Sequence, residues 1–255
     1  MVDNEGAVDL AFRMGSVLLE NGAEISRVQE TSERVAKAYG VDDMGVYVLS
    51  NALFASGSDS GEIRRTAVRY VRSSSIHFAR ICAVNNLSRE IADGRYSVAE
   101  ANKKLDEIEN IPPVKNSVLV AACGIGSACF CFIFGGSISD SLSALAVGLI
   151  VQLILNLSEK NKWSKIFSNI IASAAAALFT LALVLLGLGQ NTDAIMAGAV
   201  IRLVPGVAMT TAIRDFFNSD YLSGTIRMID AVLVGGSIAV GVGVVFKIAS
   251  VLSLI

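Results

Sequence analysis

An arginine stands inside an apolar run, and a proline-glycine pair follows it. Between residues 193 and 213 the chain is mostly Ala, Val, Ile, Met and Leu, interrupted by Arg202 and then by Pro205-Gly206. A guanidinium is a permanent cation whose planar fork of donors matches a carboxylate. Placing it at bilayer depth costs at least ~3 kcal/mol on insertion scales. Proline removes a backbone donor and crowds the preceding turn, so carbonyls near residue 201 need other partners. A broken helix at that depth is tolerated where it lines a polar cavity or is buried in protein. Two roles therefore fit Arg202. It faces a cavity and binds an anionic group beside Pro205 and Gly206, or it pairs with a protein carboxylate or backbone carbonyls for structure.

Other polar residues lie within apolar surroundings. Gln152 and Asn156 are one helical turn apart and share a face, where they line a pathway or bond to a neighbouring helix. Asp140 is expected at a helix start, where the dipole favours an acid. Asp193, Asp215, Asp220 and Asp230 are carboxylates near segment ends and are candidates for proton coupling. Enzyme chemistry finds little support. There is one histidine, His77, and no Gly-x-Ser-x-Gly turn to expose a nucleophile. The four cysteines have no metal or redox spacing, and Cys123, Cys129 and Cys131 read as packing residues. No cofactor or metal is expected.

These residues must be positioned by two differently composed halves. Residues 1–116 carry 31 of the 44 Asp, Glu, Lys and Arg residues, and the remaining 139 carry 13. A polar domain, 1–116, is thus expected to join a membrane domain, 117–255, at Pro112-Pro113. Five spans are expected at 117–134, 138–157, 166–187, 193–213 and 225–252, each near the ~20 residues needed to cross the hydrocarbon core. In the polar half, helices are expected at 7–21, 23–39, 75–93 and 97–109, the last opened by a Ser97-x-x-Glu100 capping box. Strand-like runs at 45–56 and 64–72 are joined by a hairpin at 57–61. The expected fold class is an α+β cytoplasmic N-terminal domain followed by an all-α membrane domain of five transmembrane helices.

Charge sets orientation. Lys115, Lys160, Lys162, Lys165, Arg214 and Arg227 flank alternate loops, and the loops 135–137 and 188–192 carry no Lys or Arg. The bias predicts a cytoplasmic N-terminus and an outward C-terminus in the cytoplasmic (inner) membrane. The net charge of −2 implies no nucleic-acid partner. Arg65, Arg69 and Arg72 face an acidic partner or acidic membrane lipid, or protect an edge strand by charge. Glu30/Arg34 and Glu33/Lys37 are i,i+4 pairs on a solvated helix face.

An ordered set of short motifs then resembles the threonine/serine exporter family, in particular the larger, YjjP-type subunit of its split form. The set runs from Leu18-Leu19-Glu20-Asn21-Gly22-Ala23-Glu24-x-x-Arg27-Val28-x-Glu30 to Ala83-Val84-Asn85-Asn86-Leu87-Ser88-Arg89 and Gly135-Gly136-Ser137-x-x-Asp140. It closes on Leu203-Val204-Pro205-Gly206, Ala212-Ile213-Arg214-Asp215 and Ser219-Asp220-Tyr221-Leu222-Ser223-Gly224-x-x-Arg227. The resemblance implies a secondary exporter of small carboxylate-bearing metabolites, either serine/threonine-like amino acids or a dicarboxylate such as succinate. It implies a separate small membrane subunit of the YjjB type, with homo-oligomerisation as the other source of a facing wall. It also implies gating or hydrolase-like roles for the polar domain, which would fall on Glu24, Arg27 and Glu30, and so a regulatory or hydrolase-like subunit as the alternative function. Gating or coupling is further carried onto Asp140, Arg214, Asp215 and Asp220.

Overall fold

Apolar residues at helical spacing build the first helices, and a short alternating stretch builds the only sheet among the described residues. The computed structural model describes residues 4–49, 51–59, 62–71 and 76–252. The elements run α1 (Asn4–Glu20), α2 (Ile25–Ala38), β1 (Met44–Leu49), β2 (Ala52–Asp59), β3 (Glu62–Tyr70), α3 (Phe78–Ala92) and α4 (Val98–Glu109). Then follow α5 (Asn116–Ile133), α6 (Ile138–Lys160), α7 (Lys165–Leu185), α8 (Thr192–Val200), α9 (Gly206–Phe217) and α10 (Tyr221–Val251). Two compact units result. One contains Met1–Pro113 with Arg214–Ile226, the other Val114–Ile213 with Arg227–Ile255.

In the first unit, α1 turns Leu10, Met14 and Leu18 fully inward, and α2 adds Val28 and Val35. The sheet is antiparallel in the order β1-β2-β3. Val46, Val48, Leu53 and Ala55 point into the core, while Tyr47, Phe54, Val68 and Tyr70 stay exposed, as a period of two requires. The run 45–56, read as one strand, belongs to two antiparallel strands, with Leu49 opposite Ala52. Only Ser50 and Asn51 separate the two apolar runs, a polar pair of turn-forming types without Gly or Pro, and it is short enough to be passed over. Arg69 pairs with Glu20 at 3.0 Å. Arg72 and Ser75, the hairpin residues Ser60 and Gly61, and the Arg65 side chain lie outside the described residues.

Caps and clamps fix the remaining helices. The Ser97–Glu100 capping box forms at the start of α4. His77 caps α3: its Nδ1 accepts from the Arg80 N–H at 3.3 Å, which leaves Nε2 to donate to the Pro112 carbonyl at 3.3 Å. Arg80 donates to the Ile111 carbonyl at 2.8 Å, so one helix start holds the segment leading to α5. Arg13 clamps α1 to α4 through Asp106 at 2.5 Å and Glu109 at 2.8 Å.

The second unit overturns the expected architecture. Four helices, α5, α6, α7 and α10, are long and apolar enough to cross a membrane. The fifth expected span, 193–213, is instead α8 of 9 residues and α9 of 12, each shorter than the ~20 residues a crossing needs. Pro205 causes the division, because a helix cannot continue through a missing donor and a ring clash. The described residues are mostly helical with a single three-stranded sheet, and no separate soluble N-terminal domain followed by five spans is present. The first unit is not even continuous in sequence, since it takes in Arg214–Ile226.

Small residues let these helices approach closely. A Cβ on Gly198 of α8 would stand 2.5 Å from the Ser127 carbonyl oxygen of α5, and one on Gly241 of α10 would stand 2.4 Å from the Ile170 carbonyl oxygen of α7. By contrast, a Cβ at Gly126, Gly235, Gly236 or Gly243 meets nothing within 4 Å, so close packing does not explain those glycines. Gly198→Val should push α8 off α5 and lower stability by about 2 kcal/mol or more. Thermal unfolding of the detergent-solubilised protein checks this; an unchanged midpoint would show that the close contact is not formed.

Candidate functional site

The break between α8 and α9 is a well-bonded turn. The Leu203 N–H donates to the Val200 carbonyl at 2.8 Å, and the Val204 N–H donates to the Ile201 carbonyl at 3.3 Å. These tighter i→i+3 bonds satisfy the carbonyl that was expected to need an outside partner. The Pro205 carbonyl accepts the Met209 N–H at 3.0 Å, so the proline stands just ahead of α9, where a missing donor is harmless. Leu203 is buried and anchors the turn, whereas Arg202 is exposed on it. Among the described residues Arg202 has no hydrogen bond or ion pair. Gly206 is exposed, and a Cβ there would meet nothing within 4 Å.

On α6, the buried Gln152 donates from Nε2 to Asn156 Oδ1 at 2.9 Å. Its Oε1 is buried without a hydrogen-bond partner among the described residues, as are the hydroxyls of Ser127 and Thr180. Such a group costs about 1–3 kcal/mol unless something satisfies it. Gln152 and Asn156 thus meet each other, and no contact of either with Arg202 is seen among the described residues.

Asp140 has a different office. Its Oδ2 accepts from the Ser137 N–H at 2.9 Å and the Ser137 hydroxyl at 2.7 Å, which makes the capping box of α6. Its Oδ1 accepts the N–H groups of Gln190 at 2.6 Å and Asn191 at 3.1 Å. One buried carboxylate therefore ties the α5–α6 turn to the α7–α8 loop. Ser139 and Ser143 reinforce the tie by donating to the Leu188 carbonyl at 2.7 and 2.9 Å. An open cavity of about 610 Å³ lies here, lined by Ser137, Asp140, Gln190, Asn191, Thr192 and Asp193.

In the first unit Arg214, near the end of α9, forms an ion pair with Glu24 at the N-cap of α2. An acid at a helix N-terminus is favoured by the dipole, but both side chains are partly exposed, so the pair is worth roughly 0–1 kcal/mol. Asp215 is buried, and its carbonyl accepts the Asp220 N–H at 2.8 Å. The Asp220 carbonyl in turn accepts the Gly224 N–H at 2.9 Å, so this pair of residues shapes the turn into α10. Arg27 and Glu30 lie on a cleft between α2 and α3, away from the Glu24–Arg214 pair in the bonding pattern. Asp230 is paired with Lys165 at 2.6 Å. That ion pair went unread in the sequence because its partners are 65 residues apart. Arg34, Asn85 and Arg89 also line the cleft. Their i,i+4 and i,i+7 spacings carried the signal, but only the packing of α2 on α3 joins them.

Four helices long and apolar enough to cross a membrane, packed through small residues around a broken segment, give the chain the build of a multi-pass membrane protein. The chain belongs to the threonine/serine exporter family: the family model described as "Putative threonine/serine exporter" matches residues 9–249. Among curated relatives, a "Probable threonine/serine exporter" of Mycobacterium tuberculosis is 24% identical over 92% of this chain and 45% of its own length. The "Threonine/serine exporter" of Corynebacterium glutamicum is 24% identical over 97% of this chain and 52% of its own. This chain thus spans about half the length of those two relatives. A "Probable succinate transporter subunit YjjP" of Escherichia coli is 24% identical over 91% of both chains. No solved structure matches.

Asp140→Ala should leave the Gln190 and Asn191 donors and the Ser137 hydroxyl without their acceptor, and lower stability by about 3 kcal/mol. Asp140→Asn, which keeps an acceptor oxygen, should recover part of that loss. Thermal unfolding of the two variants side by side checks the order.

Proposed function

We propose that this chain is a subunit of a secondary exporter that carries small carboxylate-bearing metabolites, either amino acids like serine and threonine or a dicarboxylate such as succinate. The family is one of membrane exporters, and relatives bear both kinds of name. Arg202 is the proposed carboxylate receptor, on the turn bounded by Pro205 and Gly206. The observation that carries this is an exposed guanidinium at the break of an apolar segment with no carboxylate or carbonyl partner among the described residues. The purely structural role required such a partner. A charge of this kind faces a polar pathway or another chain, because lipid would not solvate it. Gln152 and Asn156 are the proposed polar lining, since the Gln152 oxygen still has an open acceptor site.

The exposed side of the break fits completion by a second chain. Relatives of the YjjP type are named as subunits, and a small YjjB-type membrane subunit is the proposed partner, with a second copy of this chain as the other source. The lysine-bearing loop between α6 and α7, with Lys160, Lys162 and Lys165, is proposed to be cytoplasmic in the inner membrane, together with the N-terminus. Asp215 and Asp220 are proposed to act in coupling through the turn they shape, and the Glu24–Arg214 pair through its hold on the end of α9.

Counterflow in proteoliposomes loaded with unlabelled serine, threonine or succinate tests the reading. Labelled substrate should enter vesicles holding this chain with its small partner, and Arg202→Gln should slow entry by about 10- to 100-fold. Unchanged entry in the folded Arg202→Gln variant would remove Arg202 from the site. Full entry with this chain alone would assign the facing wall to a second copy.

A further inference from the structure

The face that α2 and α3 turn away from the core is a cleft of about 580 Å³ lined by Arg27, Glu30, Arg34, Asn85, Arg89 and Asp93. Arg27, Glu30 and Arg34 recur three and four residues apart, so they form one stripe on α2, and Asn85 and Arg89 form another on α3. Val28, Val35, Val84, Leu87 and Ile91 on the opposite faces are buried, which fixes the rotation of both helices and keeps the stripes pointed at the cleft. The charges are unequal in their engagement. Glu30 is held loosely by Arg34 at 3.8 Å, and Asp93 is taken by Arg95 at 3.2 Å. The guanidinium groups of Arg27 and Arg89 have no hydrogen bond or ion pair among the described residues. Asn85 Oδ1 faces the Thr31 hydroxyl at 3.5 Å, which leaves its amide N–H groups free to donate.

Two guanidinium forks from different helices thus open on one concavity, and both neighbouring carboxylates are already drawn to other cations. We propose that this cleft binds a small organic or inorganic dianion, its oxyanion groups clamped between Arg27 of α2 and Arg89 of α3 with the Asn85 amide as a neutral donor. Carboxylate and phosphate groups both fit a planar fork, and a volume of a few hundred Å³ is that of a metabolite site. The site contains no residue of the apolar helices and is independent of the transport reading. A ligand there joins α2 to α3 and serves regulation rather than passage.

Isothermal titration of the full chain in detergent, with succinate and separately with inorganic phosphate, tests this. The expected result is saturable binding of at least one of the two, and the anion accepted names the oxyanion class. Arg27→Gln combined with Arg89→Gln should weaken binding about tenfold or more. Arg89→Lys, which keeps the charge and loses the fork, should weaken it less. The titrations are made in an Arg202→Gln background, where the proposed transport site cannot contribute, and the binding that remains there should be the one lost with Arg27 and Arg89. Absence of heat with either anion at millimolar concentration would overturn the proposal. So would affinity that, in the Arg202→Gln background, survives the loss of both Arg27 and Arg89.

Discussion

Every backbone polar group placed among apolar helices must find a partner inside the protein, and the second unit is organised around that requirement. Its long helices satisfy themselves along their length, so the difficulty falls on their ends and on the one interruption. At the interruption, two i→i+3 bonds close the turn from Val200 to Val204, and Pro205 stands where no donor is missed. At the loop end, a single carboxylate, Asp140, accepts the free N–H groups of two separate connections. The same economy appears in packing. Helices that gain little from hydrophobic transfer against one another gain from close contact, and Gly198 against the Ser127 carbonyl is such a contact.

What could be read from the sequence follows from how local each signal was. The capping boxes at Ser97 and Ser137 and the ends of the long helices depend on neighbours within a few residues, and motifs report them directly. The third strand was hidden because only two polar residues, Ser50 and Asn51, with no Gly or Pro, separate the apolar runs of β1 and β2. The fifth span failed for a related reason. Hydropathy averages over a window and so passes across Pro205, whereas the missing donor and ring clash there divide the segment into two short helices. Helix propensity and length were both satisfied on either side, but neither half reaches across a bilayer.

The candidate site was legible by residue type and illegible by placement. Arg202, Pro205 and Gly206 stood out because an arginine beside proline is rare in such a run. That Arg202 lacks a carboxylate depends on where Asp140 and Asp230 go, and both are claimed by partners far away in sequence, the Gln190–Asn191 loop and Lys165. The cleft of the first unit had the same history. Glu30 and Arg34 were legible as a helix-surface pair, yet Arg89 joins them only because Val28, Val84 and Leu87 bury the opposite faces of α2 and α3.

The distribution of charge in the second unit bears on why Arg202 stays bare. Asp140 and Asp230 are the carboxylates with named partners there, and neither is spent on it. Lys247 is also exposed on an apolar helix, but it lies near the end of α10, where a long flexible stem can carry its ammonium to the interface. Arg202 is held on a short turn whose neighbour, Leu203, is buried, so its backbone has little freedom to follow. Among the described residues Arg202 has no carboxylate partner, and the proposed role supplies its counter-charge from a bound substrate. A carboxylate that arrives and leaves fits that role, because a permanent internal acid would compete with it for the same fork. Under the proposed carboxylate-receptor role, the engagement of Asp140 by two loops and of Asp230 by Lys165 leaves the Arg202 fork uncontested by those two acids.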